Sequence, residues 1–203
     1  MARYTGPKTR ISRRFGVVIM GSVKAFDRRS YAPGQHGAKN ARKKRSDYAL
    51  ALIEKQKLRS QYGVLEKQFR RIFKRALNAR GITGELLLQH LECRLDNVVY
   101  RLGLGATRDA ARQMIAHGHV TVNGGKVNVP SYELRAGDKV GVRNHARSRQ
   151  LALRAFDLTQ IRQVSDWLVV DKEAFTGTVV RVPSREDIQP IANEQMVVEL
   201  YSR

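Results

Sequence analysis

The chain has 203 residues, a formal net charge of +20 and a pI near 10.8, and a compact state so charged repels itself, which calls for a polyanionic partner. Apolar residues make up 42%, enough for one large or two small cores. No run of about 18 apolar residues occurs, which excludes a transmembrane helix, and a single cysteine, Cys93, excludes an internal disulfide framework and fits a reducing compartment.

The charge is unevenly placed. Residues 1–80 hold 22 Lys and Arg against 4 Asp and Glu, and residues 94–149 hold 10 against 4. Residues 81–93 and 150–203 are each net −2. The protein is therefore basic where it would dock and near neutral where it would fold.

Residues 1–45 carry 13 Lys and Arg and one Asp, with Gly, Pro and Ser scattered through. This composition buries no sizeable face and predicts a basic arm ordered on its partner. Ser12-Arg13-Arg14-Phe15 before an apolar run resembles a twin-arginine export signal. The run is short, Lys24 follows and no small-residue cleavage site appears, so the export reading is set aside. The run Arg42-Lys43-Lys44-Arg45 reads as a phosphate contact rather than a localisation signal.

Ser46-Asp47 starts a helical region. Leu50, Ile53 and Leu58 mark one apolar face, and Gly63 ends the first helix. Leu65, Phe69, Ile72 and Ala76 follow at helical spacing, with Lys67, Arg70, Arg71, Lys74 and Arg75 opposite. Such a basic amphipathic helix can lie on a membrane, but its narrow apolar face has helical neighbours to pack on, which favours core on one side and nucleic acid on the other. Gly81 closes it and Thr83 caps the next helix. Cys93 lies in that leucine-rich pattern as a small buried hydrophobe.

Arg94 to Gly103 predicts a helix with Leu95, Val98, Val99 and Leu102 inward. Thr107 then caps a second helix, with Ala110, Ala111, Met114 and Ile115 as its stripe and Gly118 as its left-handed stop. Val120, Val122, Val127 and Val129 alternate with polar residues around Asn123-Gly124-Gly125, a strong hairpin signal. Pro130 belongs at a strand edge or end, Lys139 to Arg143 in a further strand, and residues 146–163 in a helix. Beyond Trp167 the segments WLVV, GTVVRV and MVVELY read as strands. A small module with an exposed, basic and amide-bearing helix and hairpin, and with no acidic pair or nucleophile, suits phosphate.

These residues carry a specific resemblance. The opening ARYTGP, Pro33-Gly34-Gln35-His36-Gly37, Ser46-Asp47-Tyr48, Glu54-Lys55-Gln56-Lys57, and the run from Tyr62 to Arg71 all match one pattern in order. So do LECRLDNVVYRLG, HGHVTVNG, VPSY and NEQMVVELYSR. The chain resembles the bacterial S-four family, the fourth protein of the small ribosomal subunit, nearly end to end.

The resemblance implies an α+β fold: a basic arm over 1–45, a helical domain over 46–93 on which residues 176–203 pack back, and an S-four-type RNA-binding module over 94–155. That module has two helices plus antiparallel strands, and residues 156–175 supply a connecting helix and strand that complete the second domain. It further implies a cytoplasmic, non-enzymatic constituent of the small subunit. Such a protein binds the 5′ domain of small-subunit ribosomal RNA at a helix junction, nucleates assembly and influences translational accuracy. The implied neighbours are the S-five protein and messenger RNA where it enters, with no membrane and no small-molecule substrate. Several relatives also repress their own operon. Many relatives hold a structural zinc on four cysteines of the arm. The aligned positions here are Thr9, Ser12, Phe26 and Tyr31, so no zinc is expected, with Phe26 and Tyr31 packing in its place.

RNA affinity is then expected from Arg94, Arg101, Arg108, Arg112, Lys126 and Lys139 in the module. The helical domain contributes Lys67, Arg70, Arg71, Lys74 and Arg75, and the arm Arg13, Arg14, Arg28, Arg29, Lys43, Lys44 and Arg45. Gln113 and His117 are expected to touch RNA. His119 and Asn123 offer polar contacts to a phosphate or 2′-hydroxyl, with turn geometry as the main task of Asn123. Two other classes compete. One is a free RNA chaperone using the same module. The other is an RNA-modifying enzyme, because Arg94-Leu95-Asp96 resembles the motif around the catalytic aspartate of pseudouridine synthases. Too few residues follow the module for a catalytic domain of that kind, and no deaminase, phosphate-loop or nucleophile-elbow motif is present.

Overall fold

The computed structural model describes residues 4–20, 23–38, 44–160 and 163–202. The chain forms two compact units, one running to Gly84 and resuming at Pro190, the other spanning Glu85–Gln189.

The first unit is helical. Helices α1 (Lys8–Phe15) and α2 (Val23–Asp27) precede α3 (Asp47–Gln61) and α4 (Glu66–Asn78). Ser46 Oγ accepts from the Ala49 amide and caps α3. Gly63, at φ 62°, makes the left-handed break before α4. In α4 the buried set is Phe69, Ile72, Phe73 and Ala76, while Lys67, Arg70, Arg71, Lys74 and Arg75 are all exposed. Each large apolar side chain buried here contributes about 1.5–3 kcal/mol. The inward face of α3 differs from expectation. Leu58 is buried as expected, but Leu50 is exposed, and Ala51 and Lys55 take the inward positions. The Lys55 stem packs while its ammonium pairs with Glu66 at 2.8 Å, so a core position is occupied by a residue that reads as surface.

The expected arm is in part folded. The Ser12 hydroxyl is fully buried; it donates to the Met20 carbonyl at 2.6 Å and accepts from the amides of Ile19 and Met20. One hydroxyl thus ties α1 to the loop after it, and α1 contacts α3.

The last helix of the chain corrects a strand reading. MVVELY lies in α9 (Glu194–Ser202). Asn193 Oδ1 accepts from the amides of Gln195 and Met196 and starts the helix, and α9 packs on α3. Val197 is buried, and Tyr201 stacks on Phe73 with ring centroids 4.5 Å apart. Side chains four residues apart on one helical face outweigh the strand preference of paired valines.

The second unit is α+β. Helix α5 (Thr83–Glu92) crosses the division at Gly84, and α6 (Leu95–Arg101) and α7 (Arg108–Ala116) follow. Strands β1 (Val120–Val122), β2 (Gly125–Lys126) and β3 (Lys139–Val142) precede α8 (Ala146–Thr159), then β4 (Leu168–Asp171) and β5 (Thr176–Val179). They form one antiparallel sheet in the order β2-β1-β3-β5-β4. Its core joins Val98 and Val99 of α6 and Leu102 at its C-cap to Met114 and Ile115 of α7, Val120 and Val140 of the sheet, and Trp167. A Cβ on Gly177 would lie 2.4 Å from Leu102, so only glycine lets β5 approach α6 this closely. The segment expected to pack back on the helical domain divides accordingly. Residues 176–189 stay with the second unit because β5 pairs with both β3 and β4, and only 190–203 belong to the first.

Candidate nucleic-acid interface

Two buried carboxylates, Glu92 at the end of α5 and Asp96 of α6, anchor the arginines of this region. Arg94 forks onto Asp96 through Nε at 3.1 Å and Nη2 at 2.6 Å, and Arg112 reaches the same carboxylate at 3.4 Å. Glu92, fully buried, receives Arg101 Nε at 3.1 Å and Nη2 at 2.7 Å. Asn97 donates to Glu92 Oε2 at 2.6 Å and accepts from Arg108 Nε at 2.9 Å, and the Arg108 guanidinium lies 4.4 Å from the centroid of Tyr100. Backbone completes the frame. The first amides of α6, from Leu95 and Asp96, donate to the carbonyls of Tyr132 and Pro130, so the VPSY segment satisfies the helix terminus.

Two expected phosphate ligands are thereby corrected. Arg94 and Arg112 are buried with Asp96, because a buried carboxylate must be compensated and these two cations reach it. Arg101 and Arg108 are half-buried in the neighbouring network. Asp96 is held between two guanidiniums inside the fold, which leaves it no access to a substrate.

The outward groups gather where α7 meets the hairpin. Thr107 Oγ1 accepts from the Ala110 amide and caps α7, and Gly118, at φ 74°, ends it. Lys126 of β2 lies across Gly118, where a Cβ would stand 2.3 Å from the lysine Cε. The hairpin turn has positive φ at both Asn123 and Gly124. Asn123 is spent on that turn: its Nδ2 donates to Asp138 at 2.9 Å, and its Oδ1 accepts from the Lys139 amide at 2.8 Å. Lys126 and Lys139 are exposed.

Gln113, His117 and His119 line one cleft of about 250 Å³ with Arg154 of α8. The ring of His119 is bonded through Nδ1 to Ser148 at 2.9 Å. Burial, then the nearby His117, His145 and Arg143, hold its pKa below the ordinary imidazole value, which favours the neutral ring. The exposed Arg143, His145, Arg147 and Arg149 continue this rim and escaped the sequence reading. The run RNHARSR between β3 and α8 was the available signal.

In the first unit, α4 presents its five cations on one exposed face. In the arm, Arg13 donates to the Tyr31 carbonyl at 3.0 Å and lies 5.0 Å from its ring centroid. Tyr31 is thus half exposed beneath a guanidinium rather than packed inward. Arg14, Arg28, Arg29, Lys44 and Arg45 are exposed, and Lys43 lies outside the described residues. Thr9, Ser12, Phe26 and Tyr31 offer no thiolate or imidazole, and among the described residues no group of three His, Cys, Asp or Glu could hold a metal. A tetrahedral zinc set does not fit these side chains. Among the described residues no helix is long and apolar enough to cross a membrane.

Fold and surface together define a two-part α+β protein that exposes clustered cations and pairs its buried carboxylates, Glu92 and Asp96, internally. Comparison with known proteins narrows that class. Residues 3–92 match the family described as Ribosomal protein S4/S9 N-terminal domain, and residues 93–140 match the S4 domain. The chain is 58% identical to the small ribosomal subunit protein uS4 of Akkermansia muciniphila and 57% identical to that of Opitutus terrae. It is 53% identical to that of Christiangramia forsetii, and each of these matches covers 100% of both chains. The chain belongs to the S4 family of small-subunit ribosomal proteins, which are structural and not enzymes.

Proposed function

We propose that this chain binds small-subunit ribosomal RNA directly, at a helix junction of the 5′ domain, and does so early enough to nucleate assembly of the subunit body in the cytoplasm. The observation that carries this reading is the sorting of charge. Glu92 of α5 and Asp96 of α6 are buried on arginines, while Lys67, Arg70, Arg71 and Lys74 of α4 and Lys126 and Lys139 of the hairpin sheet stand exposed. Phosphate neutralisation by such side chains supplies affinity, and the fixed geometry of helix and hairpin supplies shape discrimination.

The same reading gives the protein a place beside the S-five protein and messenger RNA, and through them an influence on translational accuracy. It is zinc-free, since no cysteine or histidine stands at the aligned arm positions. Metal analysis of the purified chain is expected to return no zinc, and one zinc per chain would refute that part.

The deciding experiment is a salt-titrated binding assay on the 5′ domain of small-subunit ribosomal RNA beside a scrambled RNA of equal length. A preference that persists at high salt supports the proposal. Equal affinities that collapse together would make charge alone the explanation and favour a general RNA chaperone.

A further inference from the structure

The first unit holds a cleft of about 560 Å³ between the folded part of the arm and α3. Its volume falls in the range of sites that enclose a small organic molecule. Tyr4 and Phe15 contribute aromatic walls, Gln56 an amide, and Arg10, Arg14 and Arg59 three guanidiniums. Among the described residues no Asp or Glu lines it. Arg59 is shared with Glu66 at 3.5 Å, whereas Arg10 and Arg14 are exposed and make no ion pair among the described residues.

We propose that this cleft receives one unstacked nucleotide of the bound RNA, its base against the aromatic walls and its phosphate on Arg10 and Arg14. Three properties select that ligand. The walls are apolar and aromatic, which suits a planar base removed from its stack. The charge is entirely positive, which requires an anion beside the base. Guanidinium forks match phosphate oxygens bidentately, and Gln56 can meet a base edge with both a donor and an acceptor. Most of the RNA surface would still be read by shape, with this cleft fixing register at one looped-out position. The inference rests on the RNA-binding reading above.

The test uses the full chain bound to the 5′ domain of small-subunit ribosomal RNA, with base-specific and 2′-hydroxyl chemical probing at nucleotide resolution. Ser60 lines the cleft, so Ser60→Trp fills it, and Glu173→Gln, exposed between β4 and β5, serves as a control. In the wild type, one non-helical nucleotide is expected to be protected at its base. Ser60→Trp is expected to lose that protection alone and to bind about tenfold more weakly, while Glu173→Gln keeps both. The exposed pair Arg10→Ala/Arg14→Ala should lose the same protection, and it decides the matter if the tryptophan variant fails to fold.

If every protection survives both changes while the preference for ribosomal RNA remains, the cleft proposal is wrong and the RNA-binding reading stands. If the wild type shows no preference for ribosomal RNA, both fall. Saturable binding of adenosine monophosphate to the RNA-free protein, abolished by Ser60→Trp and unaccompanied by a footprint, would reassign the cleft to a free nucleotide and overturn the proposal.

Discussion

Arg94 and Arg112 carry the same charge as Arg70 and Arg71, yet the first two are buried on Asp96 and the second two stand in solvent. Removing Asp96 would leave two guanidiniums buried without their carboxylate. Asp96→Ala is therefore expected to cost about 3–5 kcal/mol in denaturant unfolding. Lys126→Ala should leave stability within about 0.5 kcal/mol while weakening RNA binding. Cys93 makes a second case. Burial, then the carboxylates of Glu133 and Glu92, push its thiol up to about 12. Almost no thiolate exists at pH 8 in the folded state, so alkylation by iodoacetamide should be negligible until denaturant is added. Rapid alkylation of the native chain would contradict its placement.

At the scale of elements, one acid links α9 to both α3 and α4. Tyr201 Oη donates to Glu66 at 2.8 Å, and Lys55 and Arg59 face the same carboxylate. Burial raises the Glu66 pKa, but the hydrogen bonds from Lys55 and Tyr201 and the two cations outweigh it, and the net shift is downward. Burial and the bond to Glu66 push the Tyr201 phenol upward, so it remains a donor at neutral pH. A carboxylate depressed in the folded state stabilises above its unfolded pKa, roughly 4.3, and that contribution is lost as pH falls through the folded value. Thermal unfolding from pH 7 to 3 should show wild type and Glu66→Gln converging toward the acid end. Tyr201→Phe should cost about 1 kcal/mol at pH 7, modest because Glu66 is partly exposed.

For the molecule as a whole, the exposed cations should act in proportion to their number. Each phosphate contact adds roughly 0.7–0.9 to the slope of log K against log salt. Replacing Lys67, Arg70, Arg71 and Lys74 by alanine should therefore flatten that slope by roughly 3 units, with circular dichroism unchanged because all four are exposed. Deleting residues 1–45 should also flatten the slope and, with the cleft lost, lower but not abolish the preference for cognate over scrambled RNA. Loss of discrimination with the arm would place specificity there instead. The deletion also removes α1 from its contact with α3, so a modest fall in stability should accompany it.

Much of this was legible in the residues alone. The charge asymmetry, the Ser46 and Thr107 caps, the Gly63 and Gly118 stops and the Asn123-Gly124 turn are local chemistry, and local chemistry is written in sequence order. The polyanion partner followed from the +20. Tertiary structure decided what depends on neighbours distant in the chain. Which arginines are buried on a carboxylate and which stand in solvent could not be read locally, because Arg112 lies 16 residues from Asp96. Nor could the helical state of MVVELY, where packing on α3 overrides valine preference, or the inward turn of Lys55, whose partner Glu66 sits on the next helix. A side chain's type sets what it can pair with, and the fold sets what is within reach.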